Sequence, residues 1–266
     1  MSCRIIKANK IALNMILLSL FLSVVTAFLP LIFAKTMNYT ILAIIGLKIA
    51  NKNAISIPFK KPRVNLFGLS ILLTVTAFPI ASMLDWMGSQ LTSSEIVFDT
   101  SQPIWTAIVL TGIFPAAAEE IVYRGVLQGI IMEESALYSV LISALFFAVT
   151  HFSVPAMMYA FFFGCIFALV RIITDNLLYT ITMHAMFNII NICFAYMNEI
   201  SLSVLAKVAF LVLGGIAFLV TMVMLFYIND ISFKESRKSV RDFINKEGCA
   251  AIMICLVLTI LMGWNR

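Results

Sequence analysis

The chain has 266 residues, of which 62% are hydrophobic and 12% are charged, and its formal net charge is +5. Soluble globular domains carry roughly twice this share of charged residues, so the composition excludes a soluble domain and predicts an integral membrane protein. The apolar runs are continuous rather than alternating, which favours helices over a β-barrel. The basic residues flank these runs, which indicates a positive-inside arrangement and not a nucleic-acid surface.

Eight or nine apolar segments predict an all-α polytopic membrane helical bundle that forms a single transmembrane domain over 1–266. The predicted spans are 11–33, 37–50, 64–86, one from 103 or 105 to 132, 136–152, 156–173, 177–197, 205–228 and 249–264. A polar segment, 87–101, follows the third. The second span is short, and every later span inverts if it is re-entrant. Counting it as a span places the amino terminus and the basic loops 48–63 and 229–248 in the cytoplasm.

The fourth span contains Glu119, Glu120 and Arg124 in an otherwise apolar run. A central charge costs about 3 kcal/mol to place in a bilayer, so three of them predict a functional site. Glu120 and Arg124 are four residues apart and can pair on one helix face, whereas Glu119 points roughly 100° away from Glu120. One carboxylate is then neutralised and the other stays available as a proton acceptor. The alternative is a structural ion pair with a spare acid beside a wet cavity.

The only two histidines, His151 and His184, both fall in predicted apolar spans. Phe147 precedes the first and Asn188 follows the second by four residues, so each histidine shares a helix face with one of them. A lone intramembrane histidine can simply join two helices by a hydrogen bond. Together with Glu119, however, these residues supply what amide hydrolysis needs: a base for water, a group to hold it and donors for the oxyanion.

Three other features predict how the helices pack. Pro115 lies one turn before the glutamates, where a proline frees a carbonyl and tends to kink the helix, which favours a polar cavity beside Glu119. Gly125 and Gly129 form a small-xxx-small pair that predicts close approach of another helix. Asn191 is expected to bond to a neighbouring helix.

Seven of these residues form three motifs on successive predicted helices: Glu119-Glu120-x-x-x-Arg124, Phe147-x-x-x-His151 and His184-x-x-x-Asn188. The motifs resemble those of the CAAX protease and bacteriocin-processing (CPBP/Abi) family of intramembrane endopeptidases, which includes type II CAAX prenyl endopeptidases. Each motif is weak alone; their order, spacing and membrane setting make the resemblance specific. It covers 105–196, the predicted catalytic core.

The resemblance implies an endopeptidase that hydrolyses a peptide bond of a membrane-associated or lipidated, CAAX-like protein or peptide. Residue by residue, it implies that Glu119 activates water and that His151 helps to orient it. His184 and Asn188 would stabilise the tetrahedral intermediate. Three residues would support the site: Glu120, Arg124 and Phe147.

Metal dependence stays open, because the family has been described both as metalloproteases and as glutamate-dependent enzymes. A zinc site would use Glu119, His151 and His184, since zinc takes three or four N, O or S ligands. Two features favour a site without a cofactor. Arg124 competes with a metal for Glu120, and adjacent carboxylates on a helix point in different directions. The five cysteines show no CxxC spacing and predict no cysteine metal site.

Two other functions are weighed against the peptidase. Intramembrane charges also mark ion and proton paths, so a transporter is the first alternative. Against it, the two halves of the sequence do not repeat a pair of interrupted helices, as an inverted repeat would require. The second alternative is a non-catalytic immunity or binding protein of the same fold. The expected partners are membrane lipid and a membrane-associated or prenylated protein or peptide, without nucleic acid, and the expected location is the bacterial cytoplasmic membrane. The sequence sets no oligomeric state.

Overall fold

A computed structural model describes residues 2–92, 100–197, 203–229 and 243–264, and in these residues the chain is helical and has no strand. The described helices are α1 (Cys3–Val25), α2 (Leu31–Lys52), α3 (Val64–Thr92), α4 (Ile104–Met132), α5 (Ala136–Val149), α6 (Val154–Thr174), α7 (Leu177–Tyr196), α8 (Val204–Asn229) and α9 (Lys246–Trp264). The predicted all-α fold is confirmed.

Seven of the described helices are long and apolar enough to cross a membrane: α1, α2, α3, α4, α6, α7 and α8. Helix α5 is apolar but has only 14 residues, and α9 has 19 residues. The number of long helices is close to the eight or nine spans predicted. The chain is a multi-pass integral membrane protein.

The first two helices differ from their predicted bounds. Helix α1 already ends at Val25, and α2 begins directly after Pro30. Proline has no N–H to continue a helix from the preceding turn, which explains the break at Pro30. Helix α1 also begins at Cys3, so the predicted span 11–33 is wrong at both ends. Residues 31–36 belong to α2, which has 22 residues and is long enough to cross a membrane.

Two predicted polar segments are described only in part. Helix α3 continues to Thr92, six residues beyond its predicted end at Trp86. Residues 93–99 of the predicted polar segment and residues 230–242 of the predicted basic loop lie outside the described residues. The cytoplasmic assignment of the basic loops therefore stays a prediction.

Helix α4 packs against α1, α2, α5, α6 and α7 and is irregular at two places. It widens into π-helix at Ile108–Ile113 and at Ile121–Leu127. The first π segment lies just before Pro115, so the irregularity expected at this proline takes the form of an expanded turn. Such turns are frequent at functional sites, and the two together flank Glu119 and Glu120.

The two glycines of α4 do not receive a neighbouring helix, so that prediction is wrong. A Cβ atom on Gly125 would lie 3.2 Å from Ile57, and one on Gly129 would lie 2.9 Å from Ile55. Both isoleucines belong to the non-helical segment between α2 and α3. The glycines thus let this segment lie directly on α4. Close helix approach occurs instead at Gly46 of α2, whose Cβ position is 3.2 Å from a side chain of α4.

The same non-helical segment is fastened to the turn between α6 and α7. Asp175 ends α6 in the left-handed region with φ 44° and accepts a hydrogen bond from Arg171 at 2.9 Å. Lys60 also donates to the Asp175 carboxylate. Asn176 caps α7 by accepting from the amide of Leu178 at 3.1 Å. These contacts fix the start of α7, the helix that carries His184 and Asn188.

Candidate active site

A cavity of about 370 Å³ is lined by side chains from α2, α4, α6 and α7 and from the α5–α6 connection. It brings together all four residues that the resemblance implied to be catalytic: Glu119, His151, His184 and Asn188. Other polar residues line it as well: Tyr39, Thr111, Ser153, Tyr159 and Asn191. Residues from distant parts of the sequence therefore share one polar space inside the helical bundle.

Glu120 and Arg124 form a fully buried ion pair, and neither residue lines this cavity. One terminal nitrogen of Arg124 donates to Oε1 of Glu120 at 3.0 Å, and both side chains are 0% exposed. The other terminal nitrogen donates to the carbonyl of Gly164 at 3.1 Å. The guanidinium carbon also lies 4.3 Å from the ring centroid of Phe147. The predicted pairing is confirmed, and it neutralises one of the two adjacent carboxylates.

Glu119 has a different environment from its neighbour. Its side chain is 26% exposed and lines the cavity. Its Oε2 atom lies 3.7 Å from Nε2 of His184, which is beyond a normal hydrogen bond. The carboxylate that helical spacing predicted to stay available is therefore the one that opens to the cavity.

His184 is held in one orientation by its surroundings. Its Nδ1 atom lies 3.0 Å from Oε1 of Glu120, and because an ionised carboxylate only accepts hydrogen bonds, this nitrogen carries a proton. The ring of Phe167 stacks on the imidazole with centroids 5.4 Å apart. The other ring nitrogen, Nε2, consequently faces Glu119, and both residues line the cavity.

His151 does not lie in a helix, so the predicted span 136–152 is too long. Helix α5 ends at Val149, and Phe152 has a positive φ of 51°, which breaks the helical path. The Nδ1 atom of His151 lies 3.0 Å from the carbonyl oxygen of Phe147. Because a carbonyl oxygen only accepts, Nδ1 is the donor and Nε2 of the neutral ring is an acceptor.

Phe147 contacts both histidines. Its ring meets His151 edge-on at 4.9 Å and His184 edge-on at 5.4 Å between centroids. Tyr123 packs edge-on against the same ring at 5.4 Å and donates from its hydroxyl to Thr150, next to His151, at 3.2 Å. The supporting position assigned to Phe147 therefore corresponds to a packing role between the two imidazoles.

Asn188 lines the cavity while it also joins α7 to α4. Its side-chain nitrogen donates to the carbonyl of Gly112 at 3.2 Å; this NH₂ group has a second N–H. Asn191 was expected to bond to a neighbouring helix, and this is wrong. It donates to the carbonyl of Phe187 in its own helix at 3.0 Å and also lines the cavity.

The sequence interpretation missed the contribution of α2. Tyr39 lines the cavity, and the ammonium of Lys35, one turn earlier, donates to the Thr111 hydroxyl at 2.9 Å. Thr111 itself lines the cavity from α4. The available signal was a single lysine inside an otherwise uncharged apolar stretch, 31–47.

The arrangement also bears on a metal. In the part of the chain that the structure describes, no three His, Cys, Asp or Glu side chains converge as a metal-binding group. The candidate zinc ligands, Glu119, His151 and His184, share the cavity without forming such a group. The residues present thus offer a proton acceptor and hydrogen-bonding groups.

Residues 101–190 match the family model described as Rce1-like, type II CAAX prenyl endopeptidase Rce1-like. The matched segment contains all of α4, α5 and α6, most of α7 and all seven motif residues. The family resemblance deduced from the motifs is confirmed. No curated protein and no solved structure matches the chain.

Proposed function

We propose that this protein is an intramembrane endopeptidase, from the premise that residues 101–190 match the family model of the Rce1-like type II CAAX prenyl endopeptidases. It hydrolyses a peptide bond of a membrane-associated or lipidated, CAAX-like protein or peptide by glutamate-activated water. One observation carries the proposal. Glu119 opens to a cavity shared with two imidazoles and an amide, while the adjacent Glu120 is already neutralised by Arg124.

Glu119 is the general base in this proposal. Its carboxylate takes one proton from water while the water oxygen forms a bond to the carbonyl carbon of the substrate. His151 presents Nε2 as an acceptor, since its Nδ1 donates to the Phe147 carbonyl, and so holds the second hydrogen of the same water. The base and the water-holding group then lie in one cavity, as the reaction requires.

His184 and Asn188 stabilise the oxyanion that forms in this step. His184 presents Nε2 to this oxyanion because its Nδ1 is engaged by Glu120. Asn188 donates the N–H that is not needed for Gly112. The protonated Glu119 then passes its proton to the departing nitrogen, the C–N bond breaks, and an amine and a carboxylic acid leave.

Glu120 and Arg124 act as positioning residues. Glu120 fixes the orientation of His184, and Arg124 keeps that carboxylate compensated in a site with no exposure. A buried carboxylate without its partner would cost several kcal/mol. The pair therefore serves the reaction through His184 rather than through contact with the substrate.

We propose no cofactor for the reaction, and a zinc site on Glu119, His151 and His184 is the alternative to be tested. The proposed partners are membrane lipid and a membrane-associated or prenylated peptide or protein, in the bacterial cytoplasmic membrane. No observation favours the transporter or the non-catalytic immunity protein.

The natural substrate can be identified by comparing cells that contain the intact protein with cells that contain an inactive variant. Membrane peptides and lipidated proteins are compared by mass spectrometry between cells with the intact protein and cells with Glu119→Gln. The proposal predicts that uncleaved precursors accumulate in the variant cells while the variant protein reaches normal abundance. Identical peptide profiles in the two cell lines would argue against an endopeptidase.

A further inference from the structure

Tyr39 is a phenol in the cavity that contains Glu119, and the proposed reaction gives it no role. It belongs to α2, lines the cavity and is half-buried. Among the described residues, its hydroxyl has no hydrogen-bond partner. Because a phenolic O–H can donate and accept hydrogen bonds, this group is available to a bound substrate.

Helices α2 and α4 run parallel in one register. Lys35 of α2 donates to Thr111 of α4. Farther along both helices, the Cβ position of Gly46 lies 3.2 Å from the side chain of Ile121. Each residue of α2 therefore lies level with a residue of α4 about 76 positions later in the sequence.

This register places Tyr39 between two groups that act on the substrate carbonyl in the proposed reaction. Tyr39 is level with Pro115, which lines the same cavity. Asn188 is held by the Gly112 carbonyl, three residues before this level, and Glu119 follows four residues after it. At a rise of 1.5 Å per residue, these positions are about 4.5 Å and about 6 Å away along the helix. The phenol is also close enough to Glu119 for the two groups to interact electrostatically.

The hydrogen-bonding capacity of the cavity explains what this phenol can contribute. In the neutral ring of His184, Nδ1 carries the only proton because it faces Glu120, so Nε2 donates to an oxyanion only when the ring is charged. Asn188 offers one N–H besides the one bound to Gly112. A tyrosine hydroxyl is among the donors that oxyanion sites use. Tyr39 thus supplies a donor that does not depend on the charge of His184.

Tyr159 is another phenol of the cavity, but it has a different position. Its ring lies edge-on to His151 at 6.5 Å and packs against Phe187 at 5.5 Å between centroids. It also lines a second, smaller cavity. Since His151 is proposed to hold the attacking water, Tyr159 lies beside the water, whereas Tyr39 is level with the carbonyl.

We propose that Tyr39 is a further catalytic residue, whose phenolic O–H donates to the oxyanion of the tetrahedral intermediate beside Asn188. The inference rests on the proposed peptidase function. When the water oxygen bonds to the carbonyl carbon, the π electrons of the C=O bond move to its oxygen, and the hydrogen bond from Tyr39 strengthens with this charge. When the C–N bond breaks, the C=O bond forms again and the hydrogen bond weakens. Tyr39 keeps its proton throughout.

The test removes only the hydroxyl group. Tyr39→Phe, as purified full-length protein in liposomes, should cleave a fluorescent prenylated peptide with kcat lowered roughly 10²- to 10³-fold, the effect of removing one oxyanion donor. KM should stay nearly constant, because the hydrogen bond contributes mainly in the transition state. The unfolding temperature should not change. Tyr227→Phe removes a phenol that is 88% exposed; it is the matched control and should keep the normal kcat.

A second measurement gives a readout without turnover. A peptide with a phosphonate in place of the scissile amide imitates the tetrahedral intermediate. Tyr39→Phe should bind this phosphonate more weakly by about the factor lost in kcat, because both report binding of the transition state. A fluorinated tyrosine in place of Tyr39 keeps the O–H and should retain both cleavage and phosphonate binding.

The outcomes separate this inference from the function on which it rests. If Tyr39→Phe cleaves the peptide with normal kcat, or binds the phosphonate as tightly as the intact protein does, Tyr39 does not stabilise the oxyanion, although the peptidase function stands. A lower unfolding temperature together with lower activity would assign the hydroxyl to the fold and also overturn the inference. If the intact protein cleaves no peptide, the proposed function falls and this inference falls with it.

Discussion

The Nδ1 atom of His184 and the Oε1 atom of Glu120 are 3.0 Å apart, and this same oxygen accepts a hydrogen bond from Arg124. A carboxylate that does not line the cavity therefore orients an imidazole that does. Glu119, one residue earlier, keeps its own carboxylate open to that cavity. The two glutamates thus have different environments, as the proposed positioning role of Glu120 and proton-transfer role of Glu119 require.

Removal of Arg124 should destabilise the protein strongly. Arg124→Met leaves the buried Glu120 carboxylate without its arginine, which is expected to cost about 3–5 kcal/mol of folding free energy. Thermal unfolding in detergent and abundance in the membrane should both decrease, and activity with them.

Arg4 provides the control for this variant. Its ion pair with Glu133 is exposed, with side chains 58% and 51% accessible, and such pairs contribute about 0–1 kcal/mol. Arg4→Met should therefore unfold at nearly the same temperature as the unmodified protein. If Arg124→Met did so too, the buried pair would not support the site.

Phe147 should matter for both histidines at once. Phe147→Ala removes a buried ring, 2% exposed, that contacts His151 and His184, and such truncations cost about 3–5 kcal/mol. Activity per folded molecule should also decrease, because two imidazoles lose the same support. Phe161→Ala, at a position that is 39% exposed, should change stability and activity little. Equal effects of the two substitutions would contradict the packing role.

The turn before α7 predicts a defined pH dependence of stability. Partial burial raises the pKa of Asp175, but hydrogen bonds and charges from Lys60 and Arg171 lower it more, so the net pKa is below its ordinary value of 3.8. A depressed carboxyl pKa contributes stability above the pKa of the unfolded chain, and the contribution is lost as the pH falls through the folded pKa.

Asp175→Asn is the variant that tests this dependence. It should be less stable than the unmodified protein at neutral pH, and the difference should shrink as the pH falls below about 4. Thermal unfolding of both proteins across this range measures it. A difference that stayed constant with pH would show that the carboxylate charge makes no contribution.

Chelation tests the proposed metal-free reaction. Purified protein treated with a strong chelator should retain its peptidase activity, because Glu119 activates water without a Lewis acid in this proposal. Metal analysis of the same sample measures residual zinc. Complete loss of activity that added zinc restores would favour the alternative site on Glu119, His151 and His184.

Local relationships could be deduced from the sequence. The Glu120–Arg124 pair depends only on helical spacing, and the availability of Glu119 follows from the same geometry. That Glu119 shares one site with His151, His184 and Asn188 was predicted from the motif resemblance. Spacing within one helix does not indicate which helices pack together.

Long-range relationships could not be deduced. Lys35 and Thr111 are 76 positions apart, and no periodicity connects α2 with α4. Gly125 was expected to receive a helix but receives Ile57, since a small residue indicates close approach without specifying the partner. His151 lies in a turn, and the next residue, Phe152, adopts a left-handed conformation. The apolar pattern of 136–152 gave no indication of this break in the helix.

The central claim is that Glu119 is the base, and the most direct measurement is kcat for cleavage of a prenylated peptide by purified protein in liposomes. Glu119→Gln keeps the shape of the side chain and removes its basicity, so kcat should decrease about 10²- to 10⁴-fold while the thermal unfolding temperature stays close to that of the intact protein. Glu133→Gln, an exposed acid at the end of the same helix, should retain full activity. A Glu119→Gln enzyme that cleaves the peptide at the normal rate would contradict the account.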